Sequence, residues 1–291
     1  MKKEQVIKNT YTSRQIFIKK FMKNKLAVVG SLIIIVFVIM AIFAPIFATF
    51  DPNATDLLNI RTSPSKAHIL GTDDLGRDIF SRLLYGGRVS IAVGVASMML
   101  QILIGVTIGV VAGYFGGLID KIIMRIVDII MCFPFFVIAI ALAAVIGGSI
   151  TNLVLIIGML MWPVITRIVR GEVLVTKQNE YILAAKALGF NTFEIIIHHI
   201  IPNIISAILV SSTLCIAQGI LMEATLSFLG LGVNPPTPSW GNMLVAAQNM
   251  SVLSHKWWMW IPAGMSVVLI VLSVNFVGDG LRDALDVVKS V

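Results

Sequence analysis

The amino-acid sequence predicts an all-α integral membrane protein. Of its 291 residues 57% are hydrophobic and only 13% are charged, whereas a soluble domain carries about 25% charged residues. The mean hydropathy of +0.94 agrees with this class. The apolar runs are about 20 residues long, which suits a helix that crosses the bilayer. They lack the alternating pattern, about ten residues long, of a membrane β-barrel strand.

Six apolar runs are long enough to be transmembrane helices. An even number of spans places both termini on one side of the membrane, and the richer supply of Lys and Arg marks the cytoplasmic side. With both termini cytoplasmic, the inner segments hold sixteen of the 22 Lys and Arg and the outer segments hold six. Eight of the sixteen precede the first span. The predicted spans are 26–49, 89–115, 121–146, 151–171, 203–230 and 260–279.

The first apolar run, 26–49, is predicted to be a permanent span and not a cleaved signal peptide. A long basic tail precedes it, and no small-residue cleavage site follows it. Turn residues at 51–53 end it. Further along the outer segment, residues 77–88 are predicted to form a short helix in the membrane interface, because their apolar side chains share one face.

The later spans contain small residues that favour close helix packing and prolines that favour kinks. Gly105, Gly109 and Gly113 form a row at four-residue spacing, and such a row lets two helices pack closely in lipid. Pro134 and Pro163 are predicted to kink the third and fourth spans, since proline removes a helix hydrogen bond.

A single membrane domain is expected to account for the whole chain. We find no internal repeat and no low-complexity linker, and three tryptophans before the last span are predicted to anchor it at the membrane interface. The predicted organisation is a basic cytoplasmic tail at 1–25, the first span at 26–49, an extracytoplasmic segment at 50–88, a core domain at 89–282 with an inner loop at about 173–202 and an outer segment at 231–259, and a cytoplasmic tail at 283–291.

Sequence motifs for nucleotide, metal and hydrolase sites are absent. There is no G-x-x-x-x-G-K-[ST] loop, no H-E-x-x-H and no G-x-S-x-G, so the sequence predicts no catalytic residue, no metal site and no cofactor bound by this chain. The net charge of +7 does not indicate nucleic acid, because the basic residues follow the membrane topology. Anionic lipid headgroups are the expected counter-charge.

The inner loop is the most informative stretch. Ala184, Ala185 and Ala187 favour a helix, and Gly189 suits the left-handed residue that ends one. Asn191, three residues before an acid, predicts an N-cap with a capping box. A second helix is predicted over residues 193–201, broken by a proline at the next span. We call these two short helices and the glycine between them the elbow. The elbow could be a docking site for another protein, or equally an amphipathic segment that lies on the membrane surface.

Two acids lie inside predicted spans. Asp128 and Glu223 are costly at membrane depth, so each must face protein or water. One interpretation is a pathway-lining or gating role for both. The other is structural: Asp128 pairs with Arg125 or a neighbouring subunit, and Glu223 lies at the membrane interface.

The loop resembles the cytoplasmic coupling loop of ABC importer permeases. That pattern is Glu-Ala-Ala, three residues, Gly, nine residues and Ile-x-Leu-Pro. Ala184, Ala185, Gly189 and Pro202 match it at the right spacing, while Leu183 stands where the pattern has Glu. Other stretches are similar to the peptide branch of these importers, and in particular to the second, C-type permease. The stretches are 68–78, 81–88, 167–171, 180–181, 223–232, 238–241 and 280–286.

The resemblance implies the type I ABC importer permease fold and a set of partners. These are a second, different permease that forms a heterodimer, two ATPase subunits that bind ATP and Mg, and an extracytoplasmic substrate-binding protein. It implies that ATPase subunits dock on a coupling helix. With Leu183 in place of the acid, the contact is expected to depend on shape and small apolar residues. The expected coupling residues are Glu180, Tyr181, Leu183, Ala184, Ala185, Lys186, Leu188 and Gly189.

The expected function is ATP-driven uptake of di- or oligopeptides across the bacterial cytoplasmic membrane. The same branch also includes permeases for nickel, for metal-opine complexes and for glutathione, so the substrate stays open. An ATP-independent secondary transporter or channel is an alternative, in which Asp128 is the proton or sodium site. A non-transporting scaffold or receptor is a third.

Overall fold

The computed structural model describes residues 13–289, and side-chain environments within 15–285. The described chain is helical and has no strand, only an isolated bridge between Thr72 and Asp78. The first twelve residues of the predicted basic tail, and the last residues of the C-terminal tail, lie outside the described parts. The principal helices are α1 (Ser13–Lys23), α2 (Lys25–Ile42), α3 (Ile79–Phe115), α4 (Gly117–Cys132), α5 (Phe135–Ile146), α6 (Ile150–Thr176), α7 (Glu180–Ala187), α8 (Ile201–Phe228), α9 (Trp240–Leu244) and α10 (Ile261–Lys289).

Five helices in the described residues are long and apolar enough to cross a membrane, and α4 with α5 form a sixth, bent candidate. The two halves of this pair meet at an angle of 79°. The bend falls at Phe133 and Pro134, where the backbone is extended, so the predicted kink at Pro134 is confirmed. Pro163, by contrast, lies inside the uninterrupted helix α6. The predicted count of six is met when the bent pair is one span.

The glycine row of α3 packs directly on α6. A Cβ atom added to Gly105, Gly109 or Gly113 would lie 2.7–2.8 Å from the Cβ atom of Ile165, Val169 or Val173 respectively. Real Cβ atoms do not approach this closely. The backbones of α3 and α6 therefore touch through this row, as the small-residue spacing predicted.

The predicted interfacial helix at 77–88 is wrong. Asp78 caps α3 by accepting a hydrogen bond from the Ser81 N–H at 2.8 Å, and the helix then runs without a break to Phe115. Ile79 and Leu84 are buried in the protein, because the outer loops cover them. The outer segment thus ends at residue 78, and 79–88 are the first turns of a spanning helix.

The described ends of the chain lie side by side at one end of the bundle. Asn24 caps α2 by accepting a hydrogen bond from the Ala27 N–H at 3.2 Å, and its Nδ2 donates to Asp283 at 3.4 Å. A Cβ added to Gly280 would meet Ala27 at 2.3 Å and Phe21 at 3.3 Å. Helices α1, α2 and α10 therefore form a closely packed group.

The glycine contact yields the first prediction. Gly109→Val should destabilise the protein by about 1–3 kcal/mol, because the new side chain overpacks the α3–α6 contact. Thermal unfolding of the purified protein in detergent measures the loss. The matched control is Gly171→Val on α6, where a Cβ atom would have no neighbour within 4 Å. Equal melting temperatures for the two variants would contradict the packing argument.

Candidate functional site

The inner loop folds as the elbow that its local signals predicted. Helix α7 ends at Ala187, and Gly189 has a φ of +86°, the left-handed conformation that glycine adopts without strain. Asn191 then accepts a hydrogen bond from the Glu194 N–H at 2.9 Å, and the Glu194 side chain accepts one from the Asn191 N–H at 3.0 Å. This is the predicted capping box, and it starts the short turn Thr192–Ile195.

The join between the elbow and α8 differs from the prediction. The turn at 192–195 does not end in a break at Pro202. It passes through a π-helical turn, Ile196–Ile200, straight into α8. The Ile201 N–H donates to the carbonyl of Ile196, five residues back. This wider turn accommodates Pro202, whose ring and missing N–H do not fit a regular helix interior.

One side of α7 is built into the core. Ile182 and Ala185 are buried, Ala185 with 5% of its surface exposed. They belong to a cluster that includes Val110 of α3, Val173 of α6 and Ile204 of α8. Ala185 was expected on the docking surface, and this placement corrects that expectation. A helix of only eight residues stays packed against the rest of the protein only if it buries some of its side chains. Ile182 and Ala185 lie on the same face of α7 and provide this buried contact.

The other side of α7 is exposed and largely apolar. Leu188 has 78% of its surface exposed and Phe193 has 72%. Of the eight expected coupling residues, all except Ala185 are exposed. The sequence analysis did not include Phe190 and Phe193 among the expected coupling residues. Two aromatic residues just beyond the glycine of a polar loop could have indicated that they belong to a contact surface. We call this the elbow surface, made of Tyr181, Leu183, Ala184, Leu188, Phe190 and Phe193.

Polar contacts fix the base of the elbow to the spanning helices. The ammonium of Lys186 lies 5.2 Å from the centre of the Tyr114 ring, and Lys177 Nζ donates to the Gly113 carbonyl at 2.7 Å. Arg170 Nη2 donates to Asp120 at 2.6 Å. The elbow is therefore held at the end of α3 and follows directly on α6, and α6 is in turn linked to α4.

Asp128 pairs with a residue that the sequence did not single out as its partner. Arg167 of α6 donates to its carboxylate at 2.5 Å, so the expected pairing with Arg125 is wrong. Both side chains are about half exposed, at 48% for Asp128 and 47% for Arg167. Together with the pair of Asp120 and Arg170, this makes two ionic links between α4 and α6.

Glu223 is fully enclosed, with 0% of its surface exposed. Its carboxylate accepts hydrogen bonds from the hydroxyls of Ser90 at 2.7 Å and Ser227 at 2.8 Å. It thus does not face the membrane interface, and that expected placement is corrected. Serine partners on two helices were not evident from the sequence.

No candidate metal centre is found within the described part of the chain, where no three His, Cys, Asp or Glu side chains are grouped closely enough to hold an ion. His198 and His199 face different surroundings. His199 contacts the rings of Tyr181 and Phe190, while His198 Nδ1 lies 3.2 Å from the Glu194 carbonyl. The histidines therefore belong to the elbow's packing.

Two family models match the chain. The model described as "Binding-protein-dependent transport system inner membrane component" matches residues 105–287. The model described as "N-terminal TM domain of oligopeptide transport permease C" matches residues 12–64. Together they cover the elbow, the first part of the outer segment and the spanning helices other than residues 79–104 of α3.

Curated relatives match over almost the whole chain. An oligopeptide transport system permease protein, OppC, of Bacillus subtilis is 43% identical over 92% of this chain and 87% of its own length. A dipeptide transport system permease protein, DppC, of Alkalihalophilus pseudofirmus is 44% identical over 92% and 88%. A glutathione transport system permease protein, GsiD, of Shigella flexneri is 43% identical over 93% and 89%. With these matches and its helical architecture, the chain belongs to the inner membrane components of binding-protein-dependent transport systems, and the resemblance to the C-type permeases is confirmed.

Proposed function

We propose that this chain is the C-type permease of an ATP-driven importer of di- or oligopeptides, worked by ATPase subunits that dock on the elbow surface. The observation that carries the proposal is the two-sided elbow: one face is packed against α3, α6 and α8, while the other exposes large apolar side chains. An exposed apolar surface of this kind is typical of a protein-protein contact. The relatives named for oligopeptide, dipeptide and glutathione transport support a peptide substrate, with metal chelates as the next candidates.

The orientation follows from charge. The elbow, the ends of α1 and α10, and most of the described Lys and Arg residues lie at one end of the bundle. We assign this end to the cytoplasm, since Lys and Arg are enriched in cytoplasmic segments. Both termini are then cytoplasmic, in the cytoplasmic membrane of a bacterium. The loops at 50–78 and 229–260 face outward, where a binding protein delivers the substrate.

In the proposed mechanism this chain carries out no chemical step. It binds the partner subunits, and its helices move. ATP and Mg are held by the two ATPase subunits, and their closure on ATP shifts the elbow. Because α3 and α6 are fixed to the elbow's base and α4 is linked to α6, the three helices tilt with it. ATP binding thereby shifts the population between inward-open and outward-open states, as any ligand does that prefers one state. A second, different permease chain completes the pathway.

The docking assignment is tested at Leu188. Leu188→Glu should weaken ATPase binding about 30-fold or more, the effect expected when a central apolar contact is lost. Co-purification of the ATPase subunits with the permease, and peptide uptake, are the measurements. Leu58→Glu is the control for co-purification, because Leu58 is 95% exposed at the opposite end of the molecule, away from the proposed ATPase contact. Wild-type co-purification and uptake in Leu188→Glu would refute docking at the elbow surface.

The missing acid of the family pattern gives a separate prediction. Leu183 occupies its position, and Glu180 is the nearest acid in α7 and is exposed. Glu180→Gln should change ATPase binding less than about threefold, because an exposed charge contributes little. A titration of ATPase subunits against permease in nanodiscs measures this. A tenfold loss would show that Glu180 replaces the family acid.

Asp128 separates this function from an ion-driven transporter. Its pair with Arg167 is half exposed, so it is worth at most about 1 kcal/mol. Asp128→Asn should therefore leave ATP-dependent uptake within about threefold of wild type. Uptake is measured in proteoliposomes with and without an imposed proton or sodium gradient. Loss of gradient-driven uptake in Asp128→Asn, with no dependence on ATP in either protein, would favour the ion-driven transporter.

A further inference from the structure

Glu223 sits at the centre of a hydrogen-bonded group that the proposed mechanism does not use. It lies near the outer end of α8, and each of its two oxygens accepts a serine hydroxyl. The side chain of Ser239, in the loop that follows, also interacts with this carboxylate. Ser90 of α3 donates to Oε2 at 2.7 Å, and Ser227, one turn along α8, donates to Oε1 at 2.8 Å. Both serines are buried. No lysine or arginine bonds or pairs with Glu223 among the described residues.

Each serine hydroxyl also accepts a hydrogen bond from the backbone of the outer loop. The Trp240 N–H donates to Ser90 Oγ at 3.1 Å, and the Val233 N–H donates to Ser227 Oγ at 3.3 Å. The two hydroxyls thus accept from the loop backbone and donate to the carboxylate. Hydrogen bonds in such chains polarise and strengthen one another. Residues 231–244, which we call the outer cap, are thus linked to α3 and α8 through two serines that bond the same acid.

The packing around this group leaves no room for sliding. A Cβ atom on Gly87 would lie 2.9 Å from the Trp240 ring, and one on Gly241 would lie 2.6 Å from the Ser227 side chain. Trp240 itself is buried, and its Nε1 donates to the Leu83 carbonyl at 3.0 Å. Glycine is thus required at both positions for the cap to approach this closely, and a gap of about 0.5–1 Å would already cost a quarter to a half of each van der Waals attraction.

A second link lies nearer the outer surface. Arg82 of α3 is buried, and its Nη1 donates to the carbonyls of Pro52 at 2.9 Å and Pro236 at 3.4 Å. Arg82 also lies 3.6 Å from Asp73. A cavity of about 410 Å³ lies between the cap and the segment that carries Asp73 and Arg82. The cap is therefore bound to the start of α3 at two levels.

We propose that Glu223 is a positioning residue that fastens the outer cap to α3 and α8, so that these three parts move as one rigid body during transport. The outer end of the pathway then opens along another boundary of the subunit, and the cap does not lift. The part of this proposal that concerns transport rests on the proposed function. The fastening itself does not, because it can be measured on the chain alone.

The two serines allow a matched test of the fastening. Ser90→Ala should speed hydrogen exchange of the Trp240 amide about tenfold and leave the Val233 amide unchanged, because a single hydrogen bond is removed. Ser227→Ala should do the reverse. Ser97→Ala is the control, since Ser97 is a buried serine on α3 whose hydroxyl has no partner within the described structure. Exchange is measured at single-amide resolution on the full-length protein in nanodiscs.

Glu223 is tested by two variants. Glu223→Ala should speed exchange of both amides, and Glu223→Gln, which keeps the side-chain volume, should do so to a smaller extent. If Glu223→Ala does not fold, the Gln and serine variants still decide. Unchanged exchange of the cap in Glu223→Gln and in both serine variants would overturn the proposal.

The rigid-body claim is tested in the complete transporter. Cap exchange in the wild type should be the same without nucleotide and with ATP under conditions that prevent hydrolysis, while exchange near the elbow should change. Faster cap exchange on ATP binding would overturn the claim. If exchange near the elbow also does not change on ATP binding, docking at the elbow is wrong. The exchange measurements on the isolated chain still test the fastening of the cap, because they do not depend on docking.

Discussion

The close contact of α3 with its neighbours is the constraint on which the rest of the structure depends. Lipid offers no hydrophobic force between helices, so they associate where small residues let backbones approach. In its inner half α3 meets α6 through Gly105, Gly109 and Gly113. In its outer half it meets α8, where a Cβ on Gly219 would lie 3.1 Å from the Cα of Gly94. One helix of 37 residues thus contacts one partner near its C-terminal end and another near its N-terminal end.

This arrangement makes α3 the link between the two ends of the molecule. Its last turn supplies Gly113 and Tyr114, which hold Lys177 and Lys186 at the elbow's base. Its first turns supply Arg82 and Ser90, which hold the outer cap. A helix whose hydrogen bonds are internal transmits displacement along its axis with little loss, since protein interiors have low compressibility. In the proposed mechanism, α3 would carry a movement of the elbow to the outer end without any separate relay.

Local signals were sufficient to predict the elements, but not the partners of their side chains. Hydropathy located the spans, and Gly189 and Asn191 located the elbow, because those signals act within a few residues. The pattern at 77–88 was ambiguous: apolar residues on one face suit an interfacial helix, and equally a helix covered by loops distant in sequence. Ala184 and Ala185 are identical in type, and only the tertiary structure turns one outward and the other inward. The partners of Asp128 and Glu223 lie 39 and 133 residues away, beyond any local pattern.

The two intramembrane acids differ in a way that bears on movement. The Asp128–Arg167 pair is half exposed, joins α4 to α6 next to the 79° bend, and can be exchanged for water or another partner at small cost. Glu223 is enclosed, and a break in its network would leave a buried carboxylate without donors, which is expensive. Parts that must change partners during a cycle are drawn from weakly held contacts. By this criterion the Asp128–Arg167 pair is suited to change partners during the cycle, while the outer cap, α3 and α8 are suited to stay together.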